Sequence, residues 1–444
     1  MSDTILELLN DKKYSEAAAL LKDLFPADAA ALLEEMPEAK MPILFRLLPK
    51  ELAADAFAYM DGDTQEILIR GFTDKELDEV MEQLFLDDTV DMIEEMPANV
   101  VKKILRHVDS DTRKMINQVL NYPKDSAGSI MTMEYVDLKG TMTVEQAFER
   151  IRATGVEKET IYTCYVTGDR RKLEGIVTVK DLLLSPKTET IRNIMETNVK
   201  FVTTHTDQEE VAQELSKYDF LAIPVVDAEE RLVGIVTIDD AIDVIQEETT
   251  EDIEKMAAIT PSDKPYIKTS VFATWKQRVP WLLLLMISAT FTSGIIASYE
   301  GALAASVVLT NFIPMLMDTG GNAGSQSSIT IIRSLSLGEI KYSDVPRIIL
   351  KESSVALLTG GTLAVANFAK MMLIDRVGLL VAAVVCLTLM VTVLVSNLVG
   401  STLPILAQRL GFDPTVMASP FITTTVDAVA LMIYFNIAKM ILGI

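Results

Sequence analysis

Hydrophobic and polar positions follow different patterns in the two parts of the chain. In residues 1–270, apolar positions recur three and four residues apart between charged residues, which predicts short amphipathic helices. Residues 280–444 consist mostly of apolar runs, each longer than the about 20 residues that a helix needs to cross a bilayer. We therefore predict an N-terminal part in water and a C-terminal part in a membrane.

The apolar runs predict five spans within residues 271–444. Lys and Arg concentrate before the first span and between the second and third, so the positive-inside rule places the N-terminal part in the cytoplasm. The opening residues, MSDTILELLNDKKY, contain no basic-then-apolar signal segment, which favours the same orientation. An odd number of spans then puts the C-terminus on the outer side of the plasma membrane. The predicted spans are residues 281–299, 302–333, 350–374, 378–407 and 416–442.

Two segments near the N-terminus repeat each other. DAAALLEEMP (28–37) recurs as DTVDMIEEMP (88–97), and Asp or Pro opens each of the apolar stretches between them. Residues 1–125 are therefore predicted to form an acidic, superhelical array of short α-helices.

A second repeat lies in the middle of the chain, where KLEGIVTVKDLL (172–183) matches RLVGIVTIDDAI (231–242). Each copy reads as a strand, a Thr and then an Asp at the start of a helix, so residues 126–243 resemble a tandem pair of cystathionine-β-synthase-type (CBS) modules of α/β fold. That resemblance implies a cleft for an adenosine nucleotide such as ATP, with these Thr and Asp side chains near its ribose and phosphates. In the alternative interpretation, each Asp only caps its helix. The residues concerned are Thr178, Asp181, Thr237 and Asp240.

Charge and composition narrow the possible partners. The formal charge of −23 argues against nucleic acid. The acidity is uneven, because residues 201–260 hold 16 Asp and Glu against 3 Lys and Arg. These carboxylates either serve solubility alone or are clustered for a hard cation. The acidic helix 239–256 favours the second interpretation, because most of it belongs to the acidic connecting helix and linker, residues 244–270, that join the middle of the chain to the first span. With two Cys and two His in the chain, a zinc or copper site is not expected.

The second predicted span contains the polar stretch NFIPMLMDTGGNAGSQSSITIIRSL (311–335). Unpaired polar groups and loosened backbone are costly in lipid and are tolerated only against protein or water. We therefore predict a turn at the Gly-Gly pair (320–321) whose carbonyl groups line a permeation pathway.

Asp427 lies near the middle of the last predicted span, with Thr423 and Thr424 on the same helical face. A lone carboxylate there costs at least about 2.5–3.5 kcal/mol, and such residues commonly serve ion pathways. In the alternative, Asp427 is protonated or bonded to a neighbouring helix. Mg²⁺ takes oxygen ligands and loses its water reluctantly, so few carboxylates with many hydroxyls and carbonyls would suit a hydrated ion, whereas a K⁺ filter would not need the Asp. In a two-fold dimer, two copies of Asp427 would face one ion.

An acidic helical array, a CBS pair, an acidic connecting helix and five spans, in this order, closely resemble the MgtE family of bacterial magnesium channels. The resemblance implies a homodimer in the lipid bilayer with one pore on the two-fold axis, and it makes Asp427 the pore aspartate. The further pore oxygens that it implies are those of Asn322, Ser325, Ser419 and Thr423. The segments that carry the resemblance are PMLMDTGGNAGSQS (314–327), NLVGSTLP (397–404), SPFITTTVDAVALMIY (419–434) and the stretch 218–253.

The resemblance also implies that the acidic connecting helix is a plug, which closes the pore when cytoplasmic Mg²⁺ bridges carboxylates of the array, the CBS modules and the plug. Dense carboxylates repel one another until a divalent ion neutralises them, which links ion concentration to conformation. The matched positions are Asp219, Asp240, Asp243, Glu248, Glu251 and Asp252, with Asp87, Asp88 and Asp91 as partners from the array. The nucleotide-contacting positions that it matches are Asp181 and Phe220, with Lys180 beside them.

We therefore expect a passive Mg²⁺ channel that intracellular Mg²⁺ closes. The alternative is a secondary transporter of Mg²⁺, Co²⁺ or Mn²⁺ that is coupled to a proton or Na⁺ gradient, in which Asp427 would also cycle protons. An enzyme is not expected, because the sequence has no Ser/His/Asp set, no HExxH motif and no GxxxxGK phosphate loop, and no His follows residue 205.

Overall fold

Short amphipathic helices and long apolar helices fall into two separate units. The computed structural model describes residues 1–262 and 264–443, without the side chains of residues 157, 302, 303, 305 and 419. The first unit is Met1–Ile245 and the second is Gln246–Ile444. The predicted fold classes are confirmed: a helical array, an α/β CBS pair and an all-helical apolar domain. The finer division of the chain at residues 125, 243 and 270 stays a prediction.

The N-terminal array consists of short helices because turn residues interrupt the apolar periodicity at regular intervals. Asp61 accepts a hydrogen bond from the backbone N–H of Thr64 at 2.8 Å, and Thr73 forms a reciprocal capping box with Glu76. The two repeated sequence segments form the third and eighth helices. The helices are α1 (Ser2–Asn10), α2 (Tyr14–Leu21), α3 (Pro26–Glu34), α4 (Met41–Phe45), α5 (Lys50–Ala58), α6 (Gly62–Gly71), α7 (Asp74–Met81), α8 (Leu86–Glu95), α9 (Ala98–His107) and α10 (Ser110–Val119).

Two three-stranded sheets form the CBS pair, one for each sequence repeat. In each sheet the first strand runs parallel to the second, which pairs antiparallel with the third. The lead-in segments cross between the sheets, because Thr132 bridges Ile235 and Glu196 bridges Ile176. The strands are β1 (Tyr135–Leu138), β2 (Thr160–Thr167), β3 (Leu173–Thr178), β4 (Val202–Thr203), β5 (Ala222–Val226) and β6 (Leu232–Thr237), and the helices are α11 (Val144–Thr154), α12 (Val179–Leu184), α13 (Ile191–Ile194) and α14 (Gln208–Tyr218).

Long helices dominate the second unit. The helix α15 (Ile238–Met256) begins in the first unit and ends in the second. The helices that follow it are α16 (Val271–Ser298), α17 (Glu300–Ala305), α18 (Ile313–Ser336), α19 (Val345–Lys370), α20 (Leu379–Arg409) and α21 (Ser419–Leu442).

Four of the five predicted spans have a counterpart among the described residues. The segments that are long and apolar enough to cross a membrane are Val271–Ser298, Tyr342–Asp375, Leu379–Arg409 and Pro414–Leu442. The helix α18 occupies most of the remaining predicted span, but its polar stretch keeps it out of this group. A fifth span therefore stays a prediction.

The predicted turn at the Gly-Gly pair is wrong, because α18 continues as a helix through Gly320 and Gly321. A Cβ atom on Gly320 would lie 2.7 Å from Thr392 Cγ2 of α20, and one on Gly321 would lie 2.9 Å from Thr423 Cγ2 of α21. The glycines therefore serve close helix packing instead of a break in the backbone. Since carbonyl groups inside a helix are already hydrogen-bonded, side chains must supply the polar atoms of any pathway along α18.

Candidate ion-binding sites

The helix α18 presents a polar stripe on its exposed face. Asp318, Asn322 and Gln326 follow one another at intervals of four residues, and all three side chains are exposed. Ser325, the other predicted pore residue of this helix, is buried. A row of polar side chains on a helix among apolar helices of membrane length requires water or another polar surface in front of it.

The packing of α18 against α21 places two carboxylates at the same position along the helix axes, which we call the same level. The contacts pair Gly324 with Ile422 and Gly320 with Val426, so the two helices run antiparallel where they touch. Asp318 comes just before Gly320 and Asp427 comes just after Val426, and this register brings the two carboxylates to the same level. The two groups repel each other electrostatically. Such a pair within a low-dielectric unit favours a cation beside it.

Oxygen atoms continue along α21 from the half-buried Asp427. The hydroxyls of Thr423 and Thr424 donate to the carbonyl oxygen of Pro420 at 3.0 and 2.9 Å. Because each O–H group is used inside the helix, each hydroxyl oxygen can serve another group only as an acceptor. Ser419 begins this helix, and its side chain lies outside the described part of the chain.

In the first unit, three carboxylates from separate segments converge on one point. Asp87 belongs to α8, Glu134 precedes β1 and Glu159 precedes β2, and each offers an oxygen atom within 4.8 Å of the others. Glu134 Oε2 accepts hydrogen bonds from the Leu86 backbone N–H at 3.1 Å and from the Thr132 hydroxyl at 3.2 Å. Glu159 Oε2 is buried, and it has no hydrogen-bond partner among the described residues. An all-oxygen donor set with an unsatisfied carboxylate oxygen fits a hard divalent cation.

Burial and mutual repulsion raise the pKa values of these acids. Burial, followed by repulsion from Asp240, holds the pKa of Asp87 well above its usual range. The same two causes raise the pKa of Glu159 to about 7 and the pKa of Asp88 to about 6. Burial also raises the pKa of Asp240 to about 6 and, by less, the pKa of Glu134. We call these five residues the acidic cluster; without a cation, it either holds protons or is pushed apart.

In both CBS modules, the predicted Thr and Asp bond to each other at a helix start. Thr178 Oγ1 donates to the Asp181 carboxylate and accepts from the Asp181 backbone N–H at 3.1 Å. Thr237 Oγ1 donates to Asp240 Oδ2 at 2.6 Å. Thr178 is therefore the capping residue of α12 and Asp181 closes its capping box. The two acids differ in setting, since Asp181 is exposed whereas Asp240 belongs to the acidic cluster.

The other predicted nucleotide contacts lie in different environments. Lys180 is exposed on α12, beside Asp181. Phe220 is half-buried after α14 and stacks on Tyr218 with ring centroids 5.4 Å apart. An exposed cation and a stacked aromatic ring suit phosphate and adenine, respectively, but their joint contact with ATP stays a prediction.

The remaining predicted carboxylates of the sensor are spread over several elements. Asp219 ends α14 in a left-handed conformation (φ 54°) and is exposed. Asp91 on α8 and Asp243 on α15 are exposed as well, and burial followed by repulsion from Asp239 raises the pKa of Asp243. Glu248 lies further along α15. The structure thus brings Asp87, Asp88 and Asp240 of the predicted set together, and Asp243 adds electrostatic repulsion to Asp240.

The second unit has its own group of polar residues at the end of α15. Lys255 Nζ bonds to Glu251 Oε1 and to Asp413 Oδ2, each at 2.8 Å. Asp252 Oδ2 accepts from the Ser336 hydroxyl of α18 at 3.3 Å. Burial, followed by repulsion from Asp413, raises the pKa of Asp252. The predicted plug residues Glu251 and Asp252 are therefore tied to the helices of the second unit.

Comparison with known proteins decides the family. The model of MgtE, described as a divalent cation transporter, matches residues 313–437, the MgtE intracellular N domain matches 24–125, and CBS domains match 127–186 and 191–247. The magnesium transporter MgtE of Thermus thermophilus is 36% identical over 404 residues, covering 90% of this chain and 89% of that protein. This chain belongs to the MgtE family.

Other MgtE proteins agree over nearly the whole chain. The magnesium transporter MgtE of Bacillus subtilis is 33% identical over 438 residues, covering 98% of this chain and 96% of that protein. The solved cytosolic domain of the Mg²⁺ channel MgtE in complex with ATP is 33% identical with a TM-score of 0.52, covering 55% of this chain and 100% of that one. The soluble part of a magnesium transporter is 29% identical with a TM-score of 0.51, covering 56% and 97%. The resemblance drawn from the sequence is confirmed.

Three carboxylates at the candidate sites of this MgtE chain were not predicted from the sequence. Glu134 and Glu159 are neighbours only because β1 and β2 pair in parallel with Tyr135 opposite Thr160. No spacing along the chain predicts that pairing. For Asp318 a signal existed, since it precedes Asn322 by four residues in a segment already chosen for its polarity.

Proposed function

We propose that this MgtE chain is a Mg²⁺-selective channel for passive uptake, with Asp427 at the centre of its pore. The observation that carries the proposal is the exposed polar stripe of α18 at the level of Asp427, in a unit of membrane-length apolar helices. Because Mg²⁺ gives up its water reluctantly, Asn322, Gln326 and Thr423 would contact the ion through its hydration shell. Asp318 and Asp427 would supply the charge, and the names of the relatives support Mg²⁺ as the cargo.

The pore requires a second copy of the chain. In one copy the stripe of α18 is exposed, so it forms one wall of a pathway. Two copies around a two-fold axis would close that wall on itself and double each carboxylate. The N-terminal array and CBS pair would lie in the cytoplasm and the C-terminus outside, as the distribution of Lys and Arg predicts.

Intracellular Mg²⁺ would close the channel by binding in the acidic cluster. The cluster joins α8 of the array to the CBS pair and to α15, through Asp87, Glu159 and Asp240. A bound divalent ion neutralises the repulsion and stabilises this arrangement, whereas loss of the ion favours separation of the carboxylates into water. Since Glu251 and Asp252 lie on the same helix as Asp240, α15 would transmit the change to the pore.

ATP would tune this response from the CBS cleft. The related cytosolic domain was solved with ATP, and it covers 55% of this chain. Lys180 and Phe220 would contact phosphate and adenine, with Thr178 and Asp181 beside them.

Patch recording of the reconstituted full chain at graded cytoplasmic Mg²⁺ tests the proposal. A channel gives a current that reverses at the Mg²⁺ equilibrium potential and declines over the millimolar range expected of weak, partly hydrated sites. The Asp427→Asn variant, measured in parallel, should be silent. A Mg²⁺ flux that requires a proton or Na⁺ gradient would instead establish a secondary transporter.

A further inference from the structure

A single carboxylate oxygen links three helices of the second unit. Glu352 Oε2 on α19 accepts a hydrogen bond from Ser327 Oγ of α18 at 2.8 Å and from Asn397 Nδ2 of α20 at 3.4 Å. Ser327 Oγ also lies 3.2 Å from the backbone carbonyl oxygen of Asn397, but a hydroxyl has one proton and the carboxylate contact is shorter. Ser327 and Asn397 are buried, whereas Glu352 is half-buried.

Glu352 occupies a costly position for a charge. It is half-buried near the start of the predicted span 350–374, in the segment Tyr342–Asp375 that is long and apolar enough to cross a membrane. Among the described residues, no Lys or Arg forms an ion pair with it, and its two donors are neutral. The Asn397 Oδ1 atom is buried without a hydrogen-bond partner in the described chain. Burying this group of three residues therefore costs desolvation free energy. A carboxylate in such a segment commonly has a structural or functional role besides packing.

The bond between Glu352 and Ser327 bears on the rotation of α18 about its own axis. Beside the Ser327 contact, α18 meets α20 through Gly324 and Gly400, where a Cβ atom on Gly400 would collide with the Gly324 carbonyl oxygen. Glycine contacts permit close approach and set the axial register of α18, and a directional hydrogen bond beside them adds a constraint on its rotation. Ser327 directly follows Gln326, so it points about 100° away from the polar stripe. A bond from Ser327 to Glu352 therefore fixes which side chains of α18 face outward.

We infer that Glu352 is a positioning residue, whose carboxylate oxygen holds Ser327 and Asn397 so that the stripe of Asp318, Asn322 and Gln326 faces the ion pathway. The inference rests on the proposed function for the role of the stripe. The orientation of α18 is a separate property that can be measured without any ion flux. What the site requires is a hydrogen-bond acceptor in this place, because both partners are neutral donors.

Thiol labelling of the full-length protein in lipid vesicles tests the orientation. Cys164 and Cys386 are first replaced by Ser, and one new cysteine is introduced as Gln326→Cys or as Ser325→Cys. With Glu352 present, a water-soluble thiol reagent should label position 326 faster than position 325. Glu352→Ala should lower the ratio of the two rates by about tenfold, the scale of one lost hydrogen bond to a charged group. Mg²⁺ flux should fall with it.

Three matched variants sharpen the test. Glu352→Gln keeps the acceptor, so both the labelling ratio and the flux should stay within about twofold of the parent. Ser327→Ala should resemble Glu352→Ala, and combining the two should add little, because the residues act through one bond. Lys351→Ala changes a neighbouring exposed charge and should leave the ratio unchanged.

An unchanged labelling ratio in Glu352→Ala would overturn the inference, and so would a Gln variant as impaired as the Ala variant. A parent protein that conducts no Mg²⁺ would overturn the proposed function alone. The labelling ratio would still decide the role of Glu352.

Discussion

The acidic cluster of the first unit and the carboxylates beside the polar stripe of the second differ in how freely their carboxylates can move apart. In the cluster, Asp87 lies on a helix of the array and Glu159 directly precedes the central strand of a CBS sheet, so the groups belong to separate elements. In the second unit, Asp318 and Asp427 lie on helices whose glycine contacts fix their register. Movement can relieve the repulsion in the first case, whereas only a cation or a proton can relieve it in the second.

Because of this difference, carboxylates can serve as a sensor in the first unit and as part of a pore in the second. Carboxylates that can separate will couple ion concentration to conformation, because the ion binds the closed arrangement better than the open one. Carboxylates that cannot separate will keep a standing attraction for cations at one level of a pathway. The first arrangement suits a sensor and the second suits a pore, and the following experiments test that division.

The largest effect is expected from Asp427→Asn, which removes the fixed pore charge at constant size. Mg²⁺ flux into vesicles, followed with an entrapped indicator dye, should fall at least about tenfold, since one charge at low dielectric is worth well over 1.4 kcal/mol. Asp375→Asn, whose carboxylate pairs with Lys370 at 2.9 Å, is the matched control and should conduct normally. Equal flux in both variants would remove Asp427 from the pathway.

Neutralising carboxylates of the acidic cluster should abolish closure by Mg²⁺ and leave conduction intact. The double variant Asp87→Asn, Glu159→Gln should conduct at low cytoplasmic Mg²⁺ and should no longer close at high Mg²⁺, because the repulsion that the ion relieves is gone. For the same reason the variant should melt at a higher temperature in chelator, by roughly 2–4 °C for each kcal/mol of relieved repulsion. Glu94→Gln on the same helix serves as the exposed control. Retained closure at high Mg²⁺ would contradict a sensor in this cluster.

The response to pH should separate the two regions as well. Folding raises the pKa of Glu159 to about 7 and those of Asp88 and Asp240 to about 6, so the folded state binds protons more tightly than the unfolded state. Without Mg²⁺, this contribution favours the folded state at low pH and is lost as the pH rises from about 4 to about 7. Protons also compete with Mg²⁺ for the cluster. Scanning fluorimetry should therefore show a larger stabilisation by Mg²⁺ at pH 8 than at pH 5; equal stabilisation would argue against the cluster as its binding site.

A smaller effect is expected from Asp318→Asn. This exposed carboxylate shares the level of Asp427, so its loss should weaken the attraction for the ion while leaving the central charge in place. Flux at low external Mg²⁺ should fall by about threefold to tenfold, and flux at saturating Mg²⁺ should change less. Concentration dependence of the initial rate gives both values. A loss as complete as that of Asp427→Asn would mean that the two carboxylates are equivalent.

The smallest effect should come from Thr178 and Thr237, whose hydroxyls each donate to an Asp in a different setting. Thr178→Ala should cost about 1 kcal/mol of stability through loss of the α12 cap, and Thr237→Ala should cost about as much through loss of its bond to Asp240. Only Thr237→Ala should also shift the Mg²⁺ dependence of closure, because its partner Asp240 belongs to the cluster. Denaturant unfolding and patch recording of the two variants make the comparison, and identical Mg²⁺ curves would refute it.

Sequence patterns were most informative where structure depends on local periodicity. The helices of the array, the two CBS modules and four apolar spans follow from spacing, repeats and length, and Asp87, Asp88 and Asp240 were among the predicted sensor residues. Glu134 and Glu159 were missed because their proximity depends on the pairing of two strands that are distant in sequence. The Gly-Gly pair was misjudged because its role depends on α20 and α21, which bring Thr392 and Thr423 against it.

The Thr–Asp hydrogen bonds of the two CBS modules carry a consequence for how such proteins diverge. Asp240 is tied to Thr237 at the start of α15, so replacing it would damage a helix terminus together with the cation response. Among the residues that the structure describes, the Asp88 side chain forms no such hydrogen bond at the start of its own helix α8. Changes that retune the magnesium threshold from one organism to another should therefore accumulate on the side of α8, while the CBS side of the contact is inherited with little alteration.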